Sequence, residues 1–246
     1  MFSFFKKSNY AHQDYSLVHT DIHSHLIPGI DDGAKTVEES VVLIRHLMDL
    51  GFKKIITTPH IMGEYYPNTP AIILAGLEKV RAALQAANLP IAIDAAAEYY
   101  VDEFFEDLLA QDVPLLTLPG QRILIEVSMM APPRNLAAIL FQLNTKGYQP
   151  ILAHPERYVY YAKKLDRFKE FKAMGCTLQL NLLSLTGYYG KTQKKLGYQL
   201  LQEGLIDFVG TDMHHERHAQ QLQKYLSDKA ILKVINQHSF ANTTFA

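Results

Sequence analysis

The feature that most constrains the fold is a recurring cycle in which a short apolar run, a loop and a helical pattern follow one another seven times. Neighbouring parallel strands need a long crossover, and a helix packed on the sheet supplies it, so the cycle predicts βα units on a parallel sheet. Strands are expected over residues 17–21, 54–58, 91–97, 122–127, 150–153, 177–182 and 206–210. The first helix opens at the capping box Thr36-x-x-Glu39, carries the stripe Val37, Val41, Ile44 and Met48, and closes at Gly51. A second starts at Thr69-Pro70 and runs to about residue 87. Further helices are expected over 102–110, 135–147, 163–174 and 192–203, with one or two more at the C-terminus. No linker, repeat or compositional shift divides the chain, so residues 1–246 read as one domain with an N-terminal extension over 1–16.

Composition removes several classes. With 24 Lys and Arg against 25 Asp and Glu, the net charge of -1 leaves no basic excess to neutralise a nucleic-acid backbone. A hydrophobic fraction of 48% with 20% charged residues is that of a globular protein, not of a disordered or coiled-coil chain. The one cysteine, Cys176, has no internal partner and alternates with Leu178 and Leu180 toward a core, which fits a reducing compartment. No apolar run approaches the 18 or so residues that span a bilayer, and the start, MFSFFKKSNYAHQD, turns polar after five residues. The expected location is therefore cytoplasmic. Phe2, Phe4, Phe5, Lys6 and Lys7 read as a tail packed on the domain or frayed, ahead of a membrane or partner contact.

Parallel βα arrays place functional side chains at the carboxyl ends of the strands, where the exit loops converge on one rim. Here strand one exits into Asp21-Ile22-His23-Ser24-His25, strand two into Thr58-Pro59-His60, strand three into Glu98 and strand four into Glu126. Strand five exits into His154-Pro155-Glu156-Arg157, strand six into Asn181 and strand seven into Thr211-Asp212-Met213-His214. Six of seven expected strands thus deliver His, Asp or Glu to the same rim. A His-x-His pair on extended backbone points both imidazoles to one face, and with lone carboxylates beside it the set predicts a polynuclear divalent-cation site. His12, His19, His46, His218 and His238 are expected to lie outside that site, and His215 stays open.

These motifs resemble the polymerase and histidinol phosphatase (PHP) superfamily. The run Pro28-Gly29-Ile30-Asp31-Asp32-Gly33-Ala34 after His23-Ser24-His25, together with His154-Pro155-Glu156-Arg157-Tyr158, is more closely similar to the capsule- and exopolysaccharide-associated protein-tyrosine phosphatases of the CpsB/YwqE type, over residues 19 to about 220. The resemblance implies an α/β fold, a distorted (β/α)7 TIM-like barrel, holding three divalent ions, with Mn2+ expected and Fe, Zn or Co as alternatives. It implies His23, His25, Glu98 and Asp212 around the first ion, Glu98, Glu126 and His154 around the second, and Asp32, His60 and His214 around the third. Asp32 is preferred to Asp31 on its spacing from His23. The catalytic set implied is Arg157, as the phosphate-binding arginine, Arg217 as a candidate second one, and Glu98 and His154.

Five neutral histidines and four carboxylates with three divalent ions leave such a site near +2, suited to a phosphate dianion. A hydroxide held between two metals roughly 3.5 to 4 Å apart attacks in line. Cys176, mid-strand, has no phosphate-cradling loop, so hydrolysis is expected to be direct. Tyr65, Tyr66, Tyr99, Tyr100, Tyr158, Tyr160, Tyr161, Tyr188 and Tyr189 either line a groove for a phosphotyrosine peptide or pack the rim. The resemblance implies that the substrate is the tyrosine-rich C-terminal tail of a membrane-associated bacterial tyrosine kinase controlling polysaccharide export. The competing readings are a histidinol-phosphatase-like enzyme acting on a small metabolite, a metal-dependent nuclease, which the neutral charge disfavours, and a catalytically dead binder, which the complete ligand set disfavours.

Overall fold

A computed structural model describes residues 14–226 and 228–246 of the chain; His12 and the Phe2–Lys7 tail contact expected above lie outside the described residues. All seven expected strands are present, six of them trimmed at their ends and the fifth starting one residue early. They are β1 (Thr20–Asp21), β2 (Lys54–Thr57), β4 (Ala92–Ala95), β6 (Arg122–Glu126), β7 (Gln149–Ala153), β8 (Thr177–Asn181) and β9 (Phe208–Gly210). Two more, β3 (His60–Ile61) and β5 (Glu98–Tyr100), occupy stretches expected to be exit loops. The strand expected over 17–21 keeps only its last two residues, because Val18 N–H and His19 N–H donate back to the Tyr15 and Ser16 carbonyls in a turn.

The helices are α1 (Val37–Asp49), α2 (Pro70–Ala86), α3 (Glu103–Ala110), α4 (Leu136–Thr145), α5 (Asp166–Ala173), α6 (Leu182–Thr186), α7 (Lys191–Gln202), α8 (Glu216–Tyr225) and α9 (Lys229–Gln237). Their starts follow the sequence chemistry. Glu39 N–H donates to Thr36 Oγ1 at 3.2 Å and Lys35 N–H donates to Glu39 Oε2 at 2.7 Å, so the expected box closes on Lys35 instead of Thr36. Thr69 and Asp102 cap α2 and α3 in the same manner. The helix expected from 163 starts at Asp166, because 3-10 turns at Pro155–Arg157 and Val159–Tyr161 use the preceding backbone. The short α6 was not expected.

Every pairing between strands is parallel, in two sheets ordered β1-β2-β4 and β3-β5-β6-β7-β8-β9. Among the described residues the two sheets do not join into a closed barrel. The two sheets share chain: β2 runs into β3 across Thr58-Pro59, and β4 into β5 across Ala96-Ala97. Where β1 and β9 approach, single contacts replace a ladder. Asp212 N–H donates to the His23 carbonyl at 2.7 Å and His25 N–H to the Met213 carbonyl at 2.9 Å. Thr211 donates from N–H and Oγ1 to the buried Asp21 carboxylate, both at 2.9 Å.

Strands of this sheet bury both faces, which is why they read as continuous apolar runs. On one face Ile123, Ile125, Leu152, Leu178, Leu180 and Val209 pack against the helices; on the other Ile22, Ile56, Leu124, Ile151, Ala153 and Phe208 form a smaller second core. The C-terminal turn Ala241–Phe245 closes that second core with the Phe245 ring, 5.7 Å from the Phe208 ring. Buried Asn242 accepts from Val209 N–H at 3.0 Å and donates to the carbonyls of Val209 at 2.7 Å and Thr20 at 2.9 Å. It bridges β1 and β9 at the end opposite Asp212. Removing these bonds strands buried backbone groups, each worth about 1–3 kcal/mol. Asn242→Ala is expected to lower Tm by about 5–10 °C while leaving bound metal per folded molecule unchanged; calorimetry with elemental analysis checks both.

Candidate metal centre

All nine side chains expected as ligands converge at the carboxyl ends of the strands. Glu98 opens β5 and Glu126 ends β6, two residues beyond inward-facing Leu124 and so on the same face. His154 and Asp212 leave β7 and β9 with φ of +33° and +50°, left-handed conformations that a side chain adopts only under constraint from its surroundings. Gly33 makes the loop after β1 possible, since a Cβ there would fall 2.1 Å from the His25 carbonyl oxygen. Gly210 lets β9 approach His23, whose Cβ would lie 2.6 Å from an added Cβ.

The donor atoms form interleaved groups. His23 Nε2 lies 3.2 Å from Glu98 Oε2 and 3.3 Å from Asp212 Oδ1; His25 Nε2 lies 3.5 and 3.4 Å from the same two oxygens. The other oxygen of Glu98, Oε1, faces His154 Nε2 at 3.3 Å, and Glu126 Oε1 faces that nitrogen at 3.5 Å. Asp32 Oδ1 sits 3.3 Å from His214 Nε2 and 3.6 Å from His60 Nε2. His60 also turns Nδ1 toward Glu98 Oε2 at 3.1 Å, so it spans two groups.

Outer contacts set the ring orientations. Gln179 Oε1 lies 2.7 Å from His23 Nδ1, Asp31 Oδ2 lies 2.8 Å from His25 Nδ1, and the Asp212 carbonyl lies 2.8 Å from His214 Nδ1. Each contact leaves Nε2 aimed at the cluster, the arrangement that fixes the tautomer of a metal-ligating histidine. Asp31 orients His25 and accepts from Gly33 and His60 N–H, while Asp32 Oδ1 lies 3.3 Å from His214 Nε2.

These residues fit a divalent cation. His23 Nε2, His25 Nε2, His60 Nδ1 and both carboxylate oxygens of Glu98 are buried without a hydrogen-bond partner, a concentration of unsatisfied atoms that a bound cation would account for. Charge is crowded in the same way. Burial and the neighbouring Glu98 push Glu126 well above the usual carboxylate range. Burial opposes the charge on His23, yet Glu98 and Asp212 outweigh it and hold the imidazolium up to about 9.

Seven of the nine line a cavity of about 280 Å³ together with Arg157, Tyr189, His215 and His218. Arg157 Nη1 donates to Asp212 Oδ2 at 2.9 Å, and its guanidinium lies 4.5 Å over the Tyr189 ring. Arg217 lines a neighbouring cavity with Glu39, Leu43 and Glu216, not this one. His218, expected to be exposed and uninvolved, is buried: its Nδ1 lies 3.1 Å from the Asp212 carbonyl. The signal was available, because Ala219 and Leu222 form the buried face of α8 and place residue 218 beside them. The tyrosines divide: Tyr99, Tyr158 and Tyr161 are core, Tyr189 lines the cavity and Tyr66 stacks 5.6 Å over His60. Cys176 is buried just before β8, at the opposite end of the strand from the cavity, with its thiol pushed up by burial to about 12.

Residues 19–242 match the model of a family described as capsular polysaccharide synthesis, CpsB/CapC. The chain is 30% identical over 195 residues to the tyrosine-protein phosphatase YwqE of Bacillus subtilis, covering 79% of this chain and 77% of that protein. It is 31% identical over 201 residues to the tyrosine-protein phosphatase CpsB of Streptococcus agalactiae, covering 79% and 82%. Among solved structures, a chain from the crystal structures of YwqE from Bacillus subtilis and CpsB from Streptococcus pneumoniae, described as unique metal-dependent tyrosine phosphatases, superposes with a TM-score of 0.76 at 28% identity, over 89% of this chain and 92% of the other. Histidinol phosphate phosphatase of Lactococcus lactis superposes with a TM-score of 0.55 at 13% identity, over 85% and 93%, a likeness of fold.

Proposed function

The chain belongs to the CpsB/CapC family of capsular polysaccharide synthesis, and from that premise we propose that it is a metal-dependent protein-tyrosine phosphatase. The observation that carries the reading is the set of buried, unpartnered imidazole and carboxylate atoms around a cavity that an arginine also lines. In this reading His23, His25, Glu98 and Asp212 hold one divalent ion, Glu98, Glu126 and His154 a second, and Asp32, His60 and His214 a third, with Mn2+ as the native metal. The two sheets read as one distorted (β/α)7 barrel and one domain; the Ser24–Met213 bridge and the Asn242 bonds across the β1–β9 seam support that reading.

When bound, the cations supply positive charge for the phosphoryl oxygens and acidify water for direct attack. The chain's own residues do the rest. Arg157 offers a planar guanidinium to the phosphate, and Asp212 and the Tyr189 ring hold that plane in place. Asn181 Nδ2 donates to Asp212 Oδ2 at 2.9 Å, fixing the carboxylate that both the histidines and Arg157 face. Arg217 lines the neighbouring cavity and is left without a role in this scheme. A thiol nucleophile has no place in this scheme, since Cys176 is remote and protonated.

The proposed substrate is the C-terminal tail of a membrane-associated bacterial tyrosine kinase, and the proposed setting is the cytoplasm; among the described residues no helix is long and apolar enough to cross a membrane. Exhaustive chelation is expected to lower phosphotyrosine-peptide turnover at least tenfold, with Mn2+ restoring it. Undiminished turnover by protein shown by elemental analysis to be metal-free would overturn the proposal.

A further inference from the structure

We infer that the mouth of the cavity carries an apolar collar that recognises the residues on either side of the phosphotyrosine, so that the preferred substrate segment has aliphatic or aromatic neighbours. The inference rests on the phosphatase reading above and deepens it. Parallel strands all leave at one rim, and here five successive exits each present a large apolar side chain to solvent. Tyr65 follows β3 (65% exposed), Phe104 follows β5 (37%), Met130 follows β6 (91%), Val159 follows β7 (42%) and Tyr188 follows β8 (40%). Single exposed apolar residues are ordinary, whereas a row of them around a pocket marks an interaction surface.

Contacts between the exit segments hold that row together. Gly63 N–H donates to Asp102 Oδ2 at 2.9 Å and its Cα lies against Phe104, joining the first two. Asn135 Nδ2 donates to Glu106 Oε1 at 2.6 Å, joining the segment that carries Met130 to α3. Tyr160 O–H donates to the Ser128 carbonyl at 2.8 Å, joining that segment to the turn that carries Val159. Arg157 stacked on Tyr189 joins the turn to the segment of Tyr188, whose ring lies 5.1 Å from that of His218 in the cavity wall. The remaining arc, after β9 and beside α1, mixes Leu43 with the charged Glu39, Glu216 and Arg217.

The occupant follows from size and shape. A cavity of about 280 Å³ takes a phosphate and an aromatic ring, so the neighbours of the modified residue must lie outside it, on the rim. Extended chain advances roughly 3.3 Å per residue, which lays the residues one and two places from the phosphotyrosine across the collar.

The test uses metal-loaded full-length protein and two phosphotyrosine peptides, one with Leu and Phe at the two positions on each side, the other with Ser and Gln. p-Nitrophenyl phosphate serves as the small substrate. The apolar peptide is expected to have about tenfold higher kcat/KM, as for other small apolar pockets. Met130→Ser combined with Tyr65→Ser should shrink that preference below about threefold through KM, with p-nitrophenyl phosphate turnover and Tm unchanged. Equal kcat/KM for the two peptides would overturn the inference, as would a variant that loses peptide and p-nitrophenyl phosphate turnover alike. So would neutral or anionic vesicles that bind the wild type and not the variant while both peptides react equally, which would assign the collar to lipid. Absence of p-nitrophenyl phosphate turnover by the wild type would bring down the phosphatase reading itself, a distinct result from lost discrimination between peptides.

Discussion

Glu98→Gln is expected to lower kcat/KM by a factor on the order of 10³, and to remove more metal than His60→Ala does. Glu98 is fully buried, and its two oxygens face four imidazoles: His23, His25 and His60 through Oε2, His154 through Oε1. An amide keeps the shape but replaces one oxygen by an N–H₂ donor, aimed at nitrogens that should themselves be accepting or ligating. His60 lies between Asp32 and Glu98, at the edge of the cluster and partly exposed, so its loss opens one group and weakens another without removing the bridge. Metal stoichiometry and steady-state kinetics on both variants decide the matter. Greater loss of metal and rate in the His60 variant would transfer the bridging role away from Glu98.

Arg157→Lys is expected to raise KM and lower kcat for phosphotyrosine substrates, together about 2–4 kcal/mol at the transition state. An ammonium replaces a planar fork by a point charge, and it cannot stack on the Tyr189 ring as the guanidinium does. Bound metal should stay constant, because Asn181 Nδ2 continues to hold the Asp212 oxygen that Arg157 shares. The alternative is a purely structural ion pair. It would be with Asp212 and not the adjacent Glu156, whose carboxylate accepts from Ser184 Oγ at 2.6 Å and Asn181 N–H at 3.2 Å. In that case wild-type kinetics would accompany a lowered Tm.

The residues proposed to carry the chemistry were legible because each stands at a break between an apolar run and a turn, where a polar side chain has no packing reason to be. His23, His60, Glu98, Glu126, His154 and Asp212 were all visible on that ground. The groups that orient them were not. Gln179 reads as one polar residue inside an apolar strand, although the alternation of Leu178 and Leu180 toward the helices already placed it on the face where it meets His23. β3 and β5 escaped notice because two or three residues carry no measurable period, and Pro59 looks like loop. The division into two sheets depends on long-range pairing that local pattern does not encode.

The seam between β1 and β9 has a consequence for biosynthesis. Asp21 is bonded to Thr211 across 190 positions of chain, and the donors contributed by His23 and His25 meet those of Asp212 only when the last βα unit has been made. Closing so long a loop is slow relative to local helix formation. A nascent chain on the ribosome therefore holds half-built donor groups, from residue 23 onward, through most of its synthesis. The Asn242 bonds to Thr20 and Val209 form later still, since they join the first strand to a turn that follows the last one. Until the last unit is made, His23 and His25 lack the Asp212 oxygen that lies 3.3 and 3.4 Å from them in the folded chain, so the order of synthesis leaves the first half of the cluster exposed while the rest is made.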